Sequence, residues 1–197
     1  MGMVYSSASM SLDGFIAYND DNPGALFDWY QAGEIEVATA MDSVTFHLTA
    51  PSADYVRELV LRLGAIVVGR RLFDVTDGWV GRHPYDVPVV VMTHEPPTDW
   101  SYPGSKNFHF VTDGIEAAIR VARTIAGDRD VSVAAGEVAT QALEAGLLDE
   151  VRIDLAPVVL GSGRPYFTGG ETQTLGEATT LIQTARVTHL VYPVLRD

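Results

Sequence analysis

The chain has no cysteine among its 197 residues, which excludes disulfides, thiolate nucleophiles, cysteine-ligated zinc and iron–sulfur clusters. Cations are also scarce: 13 Lys and Arg stand against 26 Asp and Glu, a formal charge of −13. Such a surface repels phosphate backbones, so nucleic-acid binding would need a local basic patch, and the sequence has none. No apolar run approaches the ~18 residues of a membrane span, and Met1 to Met10 does not read as a basic-then-apolar leader; the expected compartment is the cytoplasm. The Gly-x-Gly-x-x-Gly fingerprint, the Walker loop, the Gly-x-Ser-x-Gly elbow and His-Glu-x-x-His are all missing. The histidines, His47, His83, His94, His109 and His189, lack ligand spacing, so each is expected to be structural or on the surface, and no metal site is expected.

What is present is an ordinary globular composition, 47% hydrophobic and 20% charged, in a chain long enough to bury about 70% of its unfolded surface. A single domain over residues 1–197 is the simplest organisation. Val4 to Met10 reads as a first strand, broken at Ser11-Leu12-Asp13-Gly14 and resumed at Phe15. Ala25 to Ala50 is irregular, acidic and aromatic, and is expected to be a long functional loop or insertion rather than sheet. A helix opens at Pro51 and is expected to close at Gly64. Strands follow at Ala65 to Val68, Val87 to Thr93 and Phe108 to Val111. Asp113-Gly-Ile-Glu116 predicts a capping-box start to the next helix, and Val131 to Ala134 the next strand. A helix from Glu137 ends near Gly146. Val151, Ile153 and Leu155 alternate with Arg152 and Asp154 as in a half-buried strand. Arg186 to Leu195 is the last strand, placed partly at an edge by Pro193. The pattern is that of an α/β protein with a mostly parallel sheet.

Ligands in such proteins bind at the carboxyl ends of strands. Three junctions qualify here: Val68-Gly69-Arg70-Arg71, Met92-Thr93-His94 and Ala134-Ala135-Gly136-Glu137. Helix N-termini there offer backbone N–H groups to an anion. Arg70 and Arg71 suit a ribose phosphate, which favours NADP over NAD. They equally suit a solvated helix start paired with Asp74 or Asp77.

Taken in order, Ser11-Leu12-Asp13-Gly14-Phe15-Ile16-Ala17, Val67-Val68-Gly69-Arg70-Arg71-Leu72-Phe73, Val91-Met92-Thr93-His94, Gly146-Leu147-Leu148-Asp149-Glu150 and Pro157-Val158-Val159-Leu160-Gly161-Ser162-Gly163 resemble the C-terminal reductase domain of the bacterial riboflavin-biosynthesis deaminase/reductase. The resemblance implies a dihydrofolate-reductase-like three-layer fold, with a mixed, mostly parallel sheet between helices. It also implies NADPH as cofactor, a small-molecule substrate and a homodimer. Gly69, Arg70, Arg71 and Leu72 would meet the adenosine ribose and its phosphate, and Thr93 and His94 the adenine side. Gly136, Glu137, Val138 and Ala139 would cradle the pyrophosphate, with Ala8, Val68 and Ala135 completing the cofactor site. Asp13 would face the nicotinamide and substrate as the catalytic candidate, or serve only as a turn-former ahead of Gly14.

The chain departs from the family in three places. Ala135-Gly136 replaces a usual Gly-Gly. Phe15 stands where riboflavin reductases commonly carry lysine, which removes a cation from the substrate side. The cysteines of a deaminase zinc site are absent, so deamination is excluded. The expected reaction is hydride transfer to a small polar heterocycle or carbonyl compound, in the manner of 5-amino-6-(5-phosphoribosylamino)uracil reductase. The alternatives are dihydrofolate or another pterin-like substrate, or a non-catalytic nucleotide-binding protein. Phe27, Trp29, Tyr30 and Trp79 are candidates to stack on a planar substrate.

Overall fold

A computed structural model describes residues 2–196. In chain order, β1 (Val4–Met10) and β2 (Phe15–Ala17) precede a 3-10 turn (Gly24–Gln31) and the strands β3 (Ile35–Ala38) and β4 (Thr45–Leu48). Next come α1 (Ala50–Arg62), β5 (Leu63–Gly69), α2 (Arg70–Val75), β6 (Val89–Met92) and β7 (Phe108–Val111). The rest is α3 (Ile115–Ala126), β8 (Asp130–Ala134), α4 (Glu137–Glu144), β9 (Glu150–Leu155), β10 (Arg164–Pro165), β11 (Thr180–Thr184) and β12 (Val187–Pro193).

Eight strands form one mixed sheet in the order β11-β12-β9-β1-β8-β5-β6-β7. The run from β9 to β7 is parallel, and β12 and β11 add antiparallel strands beyond β9. Strand β5 is apolar almost throughout because helices cover both its faces. On one face Val67, Val90, Val131 and Val133 pack under Ile115, Ala118, Ile119 and Ala122 of α3 and Val138 of α4. On the other, Ile66, Val68, Val89 and Val91 meet Phe73 of α2 and Leu59 of α1. Each such large side chain contributes about 1.5–3 kcal/mol on burial.

Several boundaries differ from expectation. Gly64 does not close α1; it lies within β5, where a Cβ would come within 2.6 Å of Ala126 Cβ and 2.8 Å of its Cα. Glycine at this point lets α3 seat against the sheet. The capping box does not form, since α3 begins after Gly114 with no side-chain cap bond. Strand β12 is not at the edge: it lies between β11 and β9. Pro193 is tolerated as its last residue, beyond the stretch in which β11 pairs, which reaches only Val191. The edge strand on this side is β11, whose Thr180, Gln183 and Thr184 leave it without an apolar run to announce it.

The segment from Ala25 to Ala50 is corrected from loop to structure. It holds the 3-10 turn and an antiparallel hairpin pairing Ile35 with Leu48 and Val37 with Phe46. The alternation of Ile35 and Val37, and of Phe46 and Leu48, is the period of a strand. Together with Trp29, Ala53 and Val56, Phe46 and Leu48 form a third core cluster.

Candidate active site

The sheet register brings the proposed junctions side by side. Ser7 on β1 pairs with Ala134 on β8, Val133 with Val67 on β5, and Gly69 with Met92 on β6. The carboxyl ends of these strands therefore form one rim. Gly136 caps α4 at φ +95°, with its N–H bonded to the Tyr166 carbonyl. The first-turn N–H groups of α4, from Glu137, Val138 and Ala139, have no intrahelical acceptor. The side chains of Val138 and Ala139 are buried, so these residues offer only backbone to the rim. The Glu137 carboxylate accepts from Thr168 at 2.7 Å and Gln141 at 3.0 Å. Those bonds, Gln141 first, hold it below its ordinary range.

The two arginines diverge. Arg70 donates to Asp74 at 2.7 Å and to the Glu95 carbonyl at 2.6 Å, with Thr93 Oγ1 at 3.5 Å, which keeps it at the end of β6. Arg71 turns the other way and grips both oxygens of Asp21, at 2.8 and 2.6 Å. Asp21 also accepts from Arg164 at 2.9 Å. The Arg71 guanidinium, then Arg164, holds the Asp21 carboxyl below its usual range. Of the other rim residues, Thr93 is buried and donates to the Glu95 carbonyl, His94 is exposed, and Ala8, Gly69 and Leu72 are half-buried. Val68 lies in the core and Ala135 is half-buried beside Gly136.

Asp13 is exposed and its carboxylate accepts the backbone N–H groups of Leu160 and Gly161, at 3.0 and 2.6 Å. The Ser11 hydroxyl and then these N–H groups hold it below its ordinary range. It thereby ties the turn after β1 to the Pro157–Gly163 stretch.

A second polar cluster was not singled out from the sequence. Ser9, Asp154 and His189 are direct cross-strand neighbours on β1, β9 and β12. His189 Nδ1 lies 2.6 Å from Asp154 Oδ1, and its Nε2 2.9 Å from Ser52 Oγ on α1. Trp29 Nε1 donates to Ser9 Oγ at 3.0 Å. The indole stacks on Tyr30, with centroids 3.9 Å apart, and meets His189 edge-on. Tyr55 stacks on His189 with centroids 4.3 Å apart, and its buried hydroxyl has no hydrogen-bond partner among the described residues. The alternation along β9 does not separate a covered face from an open one: Val151 and Asp154 are both buried, and Arg152, Ile153 and Leu155 are half-buried. Arg152 lies over the Tyr5 ring at 3.7 Å and bonds Glu150. A buried polar group needs a partner, and a lone Asp154 in sequence gives no hint that its partner is 35 residues away.

The aromatic candidates separate. Phe27 is exposed and edge-on to Tyr30, Trp29 and Tyr30 join the cluster above, and Trp79 packs instead on His83. Burial pushes His83 down to about 3. Among the described residues no group of three or more His, Asp or Glu is placed to hold a metal ion, and no helix is long and apolar enough to cross a membrane.

The fold recurs in solved structures. A protein of Shewanella sp. PV-4 assigned to riboflavin biosynthesis aligns with a TM-score of 0.73 at 20% identity, over 98% of this chain and 99% of that one. Acinetobacter baumannii RibD aligns at 0.65 and 14% identity, over 99% of this chain; the chain spans just over half of that protein, 58%. Enterococcus faecalis dihydrofolate reductase, complexed with NADP(H), aligns at 0.61 and 13% identity, over 99% and 98% of the two chains. The architecture is thus dihydrofolate-reductase-like. No curated protein matches the chain. The family model of the RibD C-terminal domain matches residues 3–191, and with that span the chain belongs to the RibD C-terminal domain family, a family of reductases.

Proposed function

We propose that the chain is an NADPH-dependent reductase of the 5-amino-6-(5-phosphoribosylamino)uracil reductase type, passing hydride to a small polar heterocycle. The observation that carries this reading is the single rim formed by the ends of β1, β8, β5 and β6, with α4 opening onto it. The residues present fit a dinucleotide. Gly136 adopts a left-handed conformation and no atom lies within 4 Å of where its Cβ would stand, so a pyrophosphate can reach the N–H groups of Glu137, Val138 and Ala139. Glu137 is drawn to Thr168 and Gln141.

NADPH would supply the hydride; the protein binds, orients and excludes water. Arg70, beside Thr93 at the end of β6, would take the ribose phosphate. Arg71 is engaged with Asp21 and would act by bracing the loop between β2 and the 3-10 turn. Asp13 would hold the Leu160–Gly161 backbone beside the nicotinamide rather than move a proton. The test is calorimetry with NADPH and NADH on Arg70→Ala. Loss of one charge-assisted contact, about 1.5–3 kcal/mol, should weaken NADPH binding tenfold or more and leave NADH nearly unchanged. Unchanged NADPH affinity would sink the assignment of Arg70, and a parent that binds neither nucleotide would sink the cofactor.

A further inference from the structure

The sheet ends at β11, and no strand among the described residues closes that edge. A two-residue turn, Ala185-Arg186, folds β11 against β12, so that Thr184 faces Val187, Ile182 faces His189 and Thr180 faces Val191. In an antiparallel pair closed this way alternate residues exchange the ladder bonds, which assigns them to Thr184, Ile182 and Thr180. The Thr179 N–H, donating to the Val191 carbonyl at 2.9 Å, fits the same phase at the far end. The N–H and C=O groups of Leu181 and Gln183 therefore point away from β12. No backbone group among the described residues outside the strand ladder meets them. Leu181 is 69% exposed, and Gln183 is exposed beside it.

An open edge of this kind is a template for another strand, and edges that stay solitary commonly carry charge or proline. Thr180-Leu181-Ile182-Gln183-Thr184 carries neither. In a chain of net charge −13 that neutrality also bears on what can dock. A cationic partner would find no carboxylate along the strand. A second copy brings an equally neutral strip, so two strongly negative molecules can meet there without setting carboxylate against carboxylate.

The phase of the ladder suits self-pairing. An antiparallel strand is its own complement about a two-fold axis. With the axis at Ile182, Leu181 of one copy faces Gln183 of the other, and these are the residues whose backbone groups point outward. Each such pair can exchange both of its backbone bonds. Ile182, half-buried within one chain, then faces its own counterpart in the closer, non-hydrogen-bonded position. We propose that the chain dimerises by antiparallel pairing of β11 with β11 of a second copy about this axis, which joins the two eight-stranded sheets into one. The inference stands apart from the nucleotide reading, because β12 and β9 separate β11 from the strands of the rim. An interface of one strand pair is small, so the dimer should be concentration-dependent rather than permanent.

The experiment is sedimentation equilibrium on the full chain up to about 1 mM. The parent should pass from monomer to dimer mass. Leu181→Lys/Gln183→Lys sets ammonium against ammonium in both pairs and should weaken the dimer about tenfold or more. Leu181→Lys/Gln183→Glu sets opposite charges in the same pairs and should dimerise at least as well as the parent. The added lysines lower the overall repulsion between two negative chains, so a loss of dimer in the first variant marks the local pairing. Both positions are exposed, and thermal melting checks that each variant folds. Should a double variant fail to fold, Gln183→Pro takes its place: it removes an outward N–H without touching the bonds to β12, and it should weaken the dimer likewise. A parent that stays monomeric at the highest concentration overturns the proposal and leaves the edge to some other strand. Equal weakening by the two double variants, or a dimer that Lys/Lys or Gln183→Pro leaves intact, overturns it as well.

Discussion

The two sides of the rim are built from opposite materials. On the β5–β6–β8 side the polar groups are mainly backbone N–H groups and charged side chains open to water, and the arginines there are satisfied by nearby carboxylates. On the β1–β9–β12 side they are buried side chains, held by one another and roofed by aromatic rings. Water competes for most bonds in the first region and for almost none in the second. Equal-looking contacts should therefore carry unequal energies.

The sharpest way to break this comparison is His189→Leu. It leaves the Asp154 carboxylate buried without its 2.6 Å partner, and should cost about 3–5 kcal/mol in urea unfolding. A loss near that of a surface pair would mean that water reaches Asp154 and that the two regions do not differ.

An effect that is absent at neutral pH and grows only on acidification is expected from His83, which burial holds neutral down to about pH 3. Unfolding frees it to take a proton at its ordinary value, near 6.5. Between those values the unfolded chain binds more protons, so stability should fall as pH drops, by at most about 1.4 kcal/mol per pH unit. Comparing denaturant midpoints of the parent and His83→Phe across this window isolates the contribution; parallel slopes would place His83 in solvent.

The smallest effect belongs to Arg71→Ala. Its pair with Asp21 is close, at 2.6 Å, but the Arg71 side chain is 60% exposed, so the loss should stay below about 1 kcal/mol. The sign with pH follows from Asp21, whose folded-state acidity is strengthened by Arg71 and Arg164. Its contribution is full above the ordinary carboxylate range and fades as pH falls through the lowered folded value. A melting temperature for Arg71→Ala that matches the parent in acid and falls slightly below it at neutral pH is the expected result; a large neutral-pH drop would make this pair structural.

Legibility followed the same divide. The apolar runs of β5 and β6 and the helix after Gly136 could be read locally, because a strand buried on both faces is apolar at nearly every position. Arg70 could be paired with Asp74 four residues on, but the Glu95 carbonyl reaches it only once α2 and β6 are neighbours. The hairpin of β3 and β4 escaped because its alternation covers so few residues beside acidic neighbours. Asp154 escaped for a plainer reason: period two separates the faces of a strand but does not show that both are covered, as they are at Val151 and Asp154.

The sequence by itself determined the alternation of strands and helices, the absence of thiol chemistry, the negative surface and the ordered motifs that identify the family. All of these depend on residue type or short-range spacing. Only the tertiary structure decided that Arg71 belongs to Asp21, that Asp13 ties down the Leu160–Gly161 backbone, and that Ser9, Asp154, His189 and Ser52 form one buried line under Trp29. Those contacts join residues far apart in the chain and form only when the fold brings their strands and loops together, which no local pattern records.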